Sequence, residues 1–280
     1  MPRSLWKGAV SFGLVTIPIK LYTATEEKDV SFNMLHKKDH SRIKFQRMCA
    51  EEEIPVENSE IVKGYEISPD NYVVLEDEDF KKVPVNSTRA IEITDFVPAE
   101  QIDPIYYQKT YYLEPDKVGA KPFALLREVL KDSRLVAVAK VSLRQKEQIC
   151  TLRVYGDTIA METMFYPDEI RSAEDLEVPG KVDIGEKEMK MAKSLVEMLT
   201  GDFEPEKYHD NYREALLELI EAKSEGEEIK RPAPVAGKVT DLMEALRASV
   251  EAARSKRDEG EEESTEAEEP RKPARRRKAG

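Results

Sequence analysis

The hydrophobic period of this chain changes once, near residue 185, and that change limits the folds open to it. Before it, strand-type runs follow one another from residue 5 to 165. They are "VSFGLVTIPIKLYTA", "YVVL", "RAIEITDFV", "IYYQKTYYL", "RLVAVAKVSL", "QICTLRVYG" and "TIAMETMFY". Each alternates or is rich in β-branched and aromatic residues, the signature of strands. Gly13 marks a turn or bulge, and Pro69-Asp70-Asn71 and Gly156-Asp157 supply turns. Only two short helices intrude, "EDEDFKKV" and "KPFALLREVLKDS", the second with Pro122 near its start. Many short strands with few helices predict a barrel or a sandwich.

After the change the spacing is helical. Met189, Ala192, Leu195, Val196 and Leu199 form one apolar stripe. Tyr208, Tyr212, Leu216, Leu219 and Ile220 form another, on a helix expected to run to about Gly226. Either stripe could pack on its own barrel or on a second subunit, and the pattern does not choose. "RPAPVAG", 231–237, reads as a Pro-rich linker. Beyond it Val239, Leu242, Leu246 and Val250 line one side of a further helix. That helix either folds back or docks on a partner protein. The chain then turns acidic over 259–269 and basic at Arg271, Lys272, Arg275, Arg276, Arg277 and Lys278, a composition expected to be disordered. The expected organisation is a core over 1–185, a helical arm over 186–230, the linker, a docking helix over 238–257 and a tail over 258–280.

At 280 residues the chain is long enough for a substantial core. No apolar run approaches membrane-spanning length, and the N-terminus lacks a secretory pattern. With two cysteines, Cys49 and Cys150, a disulfide framework is not expected. The reading is a reduced, cytoplasmic protein.

The net charge is −12, yet residues 36–47, "HKKDHSRIKFQR", set Lys37, Lys38, Arg42, Lys44 and Arg47 against Asp39 alone. The plain reading is a solvated strand, with Ile43 and Phe45 on one face and Arg42, Lys44 and Gln46 on the other. The stronger one is a surface that follows a phosphate backbone, since locally focused charge, not the total, decides where a polyanion binds.

Catalytic signatures are missing. "GAVSFG" has the glycines of a phosphate loop but Leu14 and Val15 where Lys and Ser or Thr belong. His36, His40 and Cys49 are the best metal candidate. Zinc wants four ligands, usually in close pairs, and "CAEEE" offers no second cysteine, so no metal is expected. A nucleic-acid enzyme remains an alternative without nameable residues. So does a β-rich module that binds protein or RNA.

Several collinear blocks resemble the bacterial Ku family, the end-binding proteins of non-homologous end joining. They are "WKGAVSFGLVTIPIKLYTATEEKDVSF", "LHKKDHSRIKFQRMC" running into "EIVKGYE", "ITDFVPAEQIDPIYYQKTYYLEPD", "MFYPDEIRS" and "FEPEKYHDNYREALLELIEAK". The resemblance covers roughly residues 5–255. One departure is Glu52, where members often carry a second cysteine.

The resemblance implies a mainly β protein with α elements: a Ku-type β-barrel core, a helical C-terminal arm and a disordered charged tail. It implies no enzymatic activity and no cofactor. It implies a ring-shaped homodimer threaded by duplex DNA ends, and recruitment of the pathway's ATP-dependent DNA ligase, ligase D. Lys37, Lys38, Arg42, Lys44, Arg47, Arg144 and Lys146 would then touch phosphates, with further contacts from the basic tail. Phosphate contacts position a protein without reading sequence. Tyr208, Tyr212, Leu216, Leu219 and Ile220 would pack the dimer or arm. Val239, Leu242, Leu246 and Val250 would dock the ligase, and the protein would be cytoplasmic and nucleoid-associated.

Overall fold

The computed structural model describes residues 3–83, 89–143, 146–174, 176–226, 243–252 and 254. The chain forms two units, Met1–Asp175 and Leu176–Gly280. In the first, the strands are β1 (Trp6–Phe12), β2 (Val15–Thr23), β3 (Lys63–Ser68), β4 (Asn71–Leu75), β5 (Ala90–Pro98), β6 (Tyr107–Pro115), β7 (Leu135–Leu143), β8 (Lys146–Tyr155) and β9 (Thr158–Met164). Its helices are α1 (Asp77–Lys82) and α2 (Ala120–Ser133). The second unit holds α3 (Glu186–Leu199) and α4 (Asn211–Glu225).

Seven strands close a barrel in the order β1-β2-β6-β9-β8-β7-β5. All neighbours are antiparallel except β1 and β5, whose parallel pairing completes the ring at Ala9↔Ala90 and Val10↔Ile91. Gly8 permits this closure, because a Cβ there would sit 2.3 Å from the Arg89 carbonyl oxygen. Alternation then does the sorting. Val10, Ile17, Ile19, Leu21, Ile91, Leu113, Leu152, Ile159 and Met161 point inward and are buried. Burying each large aliphatic side chain stabilises the fold by roughly 1.5–3 kcal/mol. Helix α2 adds Phe123, Leu126 and Leu130, three or four residues apart, to the same core. Gly119 precedes it, and a Cβ there would lie 2.7 Å from the Pro18 carbonyl oxygen, so the helix start sits tight on β2.

Between β2 and β5 the chain leaves the barrel for a long excursion, called the arm below. Among its described residues, none between Leu21 and Ile91 is buried. Its regular structure is the β3–β4 hairpin, turned at Pro69 and Asp70 (φ 63°), and the short helix α1. The alternation at 42–47 predicts a strand, but the structure gives isolated bridges, Leu35↔Arg42 and Met48↔Pro55. Ile43 and Phe45 are 45% and 80% exposed, so they do not face a core of their own chain.

In the second unit, the Asp210 carboxylate accepts the Arg213 backbone N–H at 2.9 Å and starts α4. Gly226, at φ 82°, ends it. Tyr208 therefore precedes the helix rather than joining its stripe. Tyr212, Leu219 and Ile220 are exposed and Leu216 is half-buried. Residues 243–252 are helical and include Leu246 and Val250. Val239, Leu242, Arg144, the linker at 231–237 and the tail at 258–280 with its six cations lie outside the described residues.

Candidate nucleic-acid interface

The basic stretch of the arm folds as a repeated knuckle. In the first, the His36 N–H donates to the Ser41 carbonyl, the His40 N–H to the His36 carbonyl and the Ile43 N–H to the Met34 carbonyl, at 2.8, 2.8 and 3.0 Å. In the second, Cys49 donates to Ile54, Glu53 to Cys49 and Val56 to Arg47, at 2.9, 3.0 and 3.0 Å. His40 and Glu53 take matching left-handed conformations, φ 56° and 53°. The bridges Leu35↔Arg42 and Met48↔Pro55 flank the two turns in the same way. The turn residues are 37–39 in one and 50–52 in the other. One backbone design thus presents Lys37 and Lys38 first, and Glu51 and Glu52 second.

Asp39 ties the first knuckle further. Its Oδ1 accepts from the Ser41 N–H at 3.0 Å and the Ser41 hydroxyl at 2.8 Å, and lies 3.0 Å from His36 Nδ1. These donors, Ser41 foremost and then His36, hold the carboxyl below the usual aspartate range. Lys37, Lys38, Arg42 and Lys44 are exposed. Arg47, also exposed, donates from Nη1 to the Asn58 side-chain oxygen. Lys146 stands apart from this group at the start of β8, opposite Leu143, with Nζ 3.5 Å from Glu169 Oε1. Both partners are solvated, so that pair costs little to exchange for a phosphate. The structure therefore gathers Lys37, Lys38, Arg42, Lys44 and Arg47 on one stretch of the arm, and places Lys146 on the barrel.

The barrel wall carries a polar cluster that strand alternation alone does not announce. Arg153 on β8 pairs with Glu162 on β9, and Thr151 Oγ1 lies 3.4 Å from the same carboxylate. The rings of Tyr112 and Tyr155 stack at 5.5 Å, with Arg153 over the Tyr155 ring. Tyr107 nearby has its hydroxyl pKa raised, first by burial and then by Glu162. Both cysteines are free, and burial pushes the Cys150 thiol up to about 12. Among the described residues no group of three His, Cys, Asp or Glu is placed to hold a metal ion. None of their helices is long and apolar enough to cross a membrane.

Fold and arm together define a β-barrel protein with a basic, solvent-facing excursion. Residues 11–192 match the Ku70/Ku80 beta-barrel domain, from β1 into α3. The chain is 47% identical over 257 residues to the non-homologous end joining protein Ku of Frankia casuarinae, covering 91% of this chain and 65% of that one. It is 49% identical over 258 residues to the Ku of Symbiobacterium thermophilum, covering 91% and 64%. With the Ku of Bacillus subtilis it shares 44% over 257 residues, covering 90% and 83%. The chain spans about two thirds of the length of the first two relatives. It belongs to the Ku β-barrel family.

Proposed function

We propose that this chain is a non-catalytic scaffold of double-strand break repair. Two copies form a ring that encloses the ends of duplex DNA without reading sequence. The ring then brings the ATP-dependent ligase of non-homologous end joining, ligase D, to the break. The protein works in the cytoplasm, on the nucleoid. The names of the relatives support the pathway, and the domain that they share supports the fold.

The observation that carries the ring is the arm. Some seventy residues leave a well-packed barrel and bury none of their described side chains in it. Phe32, Phe45, Tyr65, Ile67 and Tyr72 are among the large apolar groups left more than half exposed. Exposed apolar surface on this scale marks an interaction site. A strand pair such as β3–β4 is marginal without a surface to pack on. A second copy covers the apolar groups, and DNA neutralises the cations of the first knuckle. Lysine and arginine on a turn, with no helix to enter a groove, suit contact with phosphate.

Competition for binding tests the reading. Linear duplex binds, and covalently closed circles of the same length and sequence compete poorly. Equal competition by circles refutes enclosure. Phosphate-dominated binding also weakens with salt, at a log–log slope of about −0.9 for each phosphate neutralised.

A further inference from the structure

We infer that Asp39, the one acid of the basic stretch, is a positioning residue for DNA: it fixes the knuckle that carries Lys37 and Lys38. This rests on the reading of that stretch as a phosphate-binding surface. Charge alone argues the reverse, because a carboxylate beside five cations repels phosphate. Its geometry gives it another task. One oxygen, Oδ1, meets the Ser41 amide, the Ser41 hydroxyl and His36 Nδ1, all within 3.0 Å. These contacts bracket the turn at 37–39 from both sides.

The second knuckle serves as an internal control. It has the same backbone hydrogen bonds and the same left-handed residue, here Glu53. At the position of Asp39 it has Glu52, and among the described residues no side-chain hydrogen bond ties that turn. The added clasp thus occurs in the knuckle whose turn holds two adjacent lysines. Mutual repulsion of Lys37 and Lys38 opposes a tight turn. The bonds that Asp39 accepts from Ser41, with His36 beside them, hold the turn closed and fix the backbone that carries both lysines. A pre-ordered pair loses less conformational freedom on meeting a phosphate backbone.

The test uses the full chain and a linear duplex, with affinity measured across a salt series. Asp39→Ala removes both charge and acceptor. It is expected to bind about threefold or more weakly, the order of one net hydrogen bond lost. Its salt slope is expected to become shallower as phosphate contacts are lost. General loosening of the fold lowers the active fraction and leaves that slope alone. Asp39→Asn keeps an oxygen for Ser41 and removes the repulsion, so it is expected to bind at least as tightly as the native chain. In a Lys37→Ala/Lys38→Ala background, Asp39→Ala is expected to add nothing, because the groups that it positions are gone. Native or tighter binding by Asp39→Ala with Lys37 and Lys38 present overturns the inference. If Lys37→Ala/Lys38→Ala itself binds with native affinity and slope, the phosphate-binding role of this turn falls, and the inference with it.

Discussion

Arg153 donates to Glu162 twice, Nε at 2.9 Å and Nη2 at 2.6 Å, and both bonds end on the same oxygen, Oε1. The carboxylate is nearly buried between β8 and β9, while the guanidinium keeps partial access to water. The pair ties two barrel strands and carries the stack of Tyr112 on Tyr155 beside it. Removing the arginine leaves a buried carboxylate without its cation, the expensive way to break such a pair. Arg153→Leu is therefore expected to lower stability by about 2 kcal/mol. Removing both members, in Arg153→Leu/Glu162→Leu, is expected to recover part of that loss. Urea unfolding with an unchanged m-value measures both.

Charge reversal on the arm separates binding from folding. Arg42, Lys44 and Arg47 lie where no described residue is buried, so Arg42→Glu/Lys44→Glu/Arg47→Glu is expected to shift stability by less than about 1 kcal/mol. End binding is expected to be abolished in a mobility-shift measurement. A folded triple variant that binds DNA as the native chain does removes these residues from the interface.

Assembly has its own readout. Leu216 and Ile220 lie one turn apart on α4, and Tyr212 and Leu219 beside them are exposed. On the proposed dimer, the native chain is expected to scatter light as a dimer at micromolar concentration, and Leu216→Asp/Ile220→Asp to yield monomer or aggregate. A well-folded native monomer at that concentration refutes the dimer.

How much of this was legible beforehand follows from where the side chains go. Strand β2 was, because buried Ile17, Ile19 and Leu21 alternate with Thr16, Pro18 and Lys20, which writes a period of two into the sequence, and β7 and β9 were, through runs of apolar and β-branched residues. The arm was less so. Strand β3 has Tyr65 and Ile67 in alternation, but both are exposed and no core enforces the pattern. The knuckles escaped detection for a different reason. Their left-handed residues are His40 and Glu53, not glycine, so the turns carry no conventional mark. Ile43 and Phe45 alternate with cations and imitate a strand, where the chain instead runs without regular structure between two hydrogen-bonded turns. The basic stretch itself was visible, since charge needs no fold to be counted. Its clasp at Asp39 was not, because a lone acid among cations reads as an exception. Tyr208 shares the spacing of the α4 stripe but precedes the helix, and Asp210, a good N-cap residue, marks the start.

The thiols differ in reach. Cys150 is enclosed in the barrel core with its thiol pushed up to about 12, so at pH 8 almost none is thiolate. Cys49 is on the arm and partly exposed. Alkylation of the folded chain at pH 8 is expected to modify Cys49 and spare Cys150, with both reacting after denaturation. Because the buried thiol titrates late, protection is expected to persist as pH rises toward 11. Peptide mass mapping reads the outcome.

On the proposed function, truncation is expected to separate end binding from ligase recruitment. A chain ending at Gly237 keeps the barrel, the arm, α3 and α4, and is expected to bind ends while losing most stimulation of the ligase. A chain ending at Asp258 is expected to keep that stimulation and hold DNA less well, most visibly at low salt where screening is least. Full stimulation by the shorter chain shows that the helix bearing Leu246 and Val250 is not the docking element.

The closure of β1 on β5 has a consequence for how copies of this chain can meet. A closed barrel has no free edge strand, although β1 and β5 meet over Ala9–Ser11 and Ala90–Glu92 alone, so β5 beyond Glu92 is paired on its β7 side only. The β3–β4 pair is open on both sides. A backbone ladder between two chains that uses the described strands can therefore form on the outer edges of β3 and β4, or on β5 beyond Glu92, and not across the paired walls of the barrel.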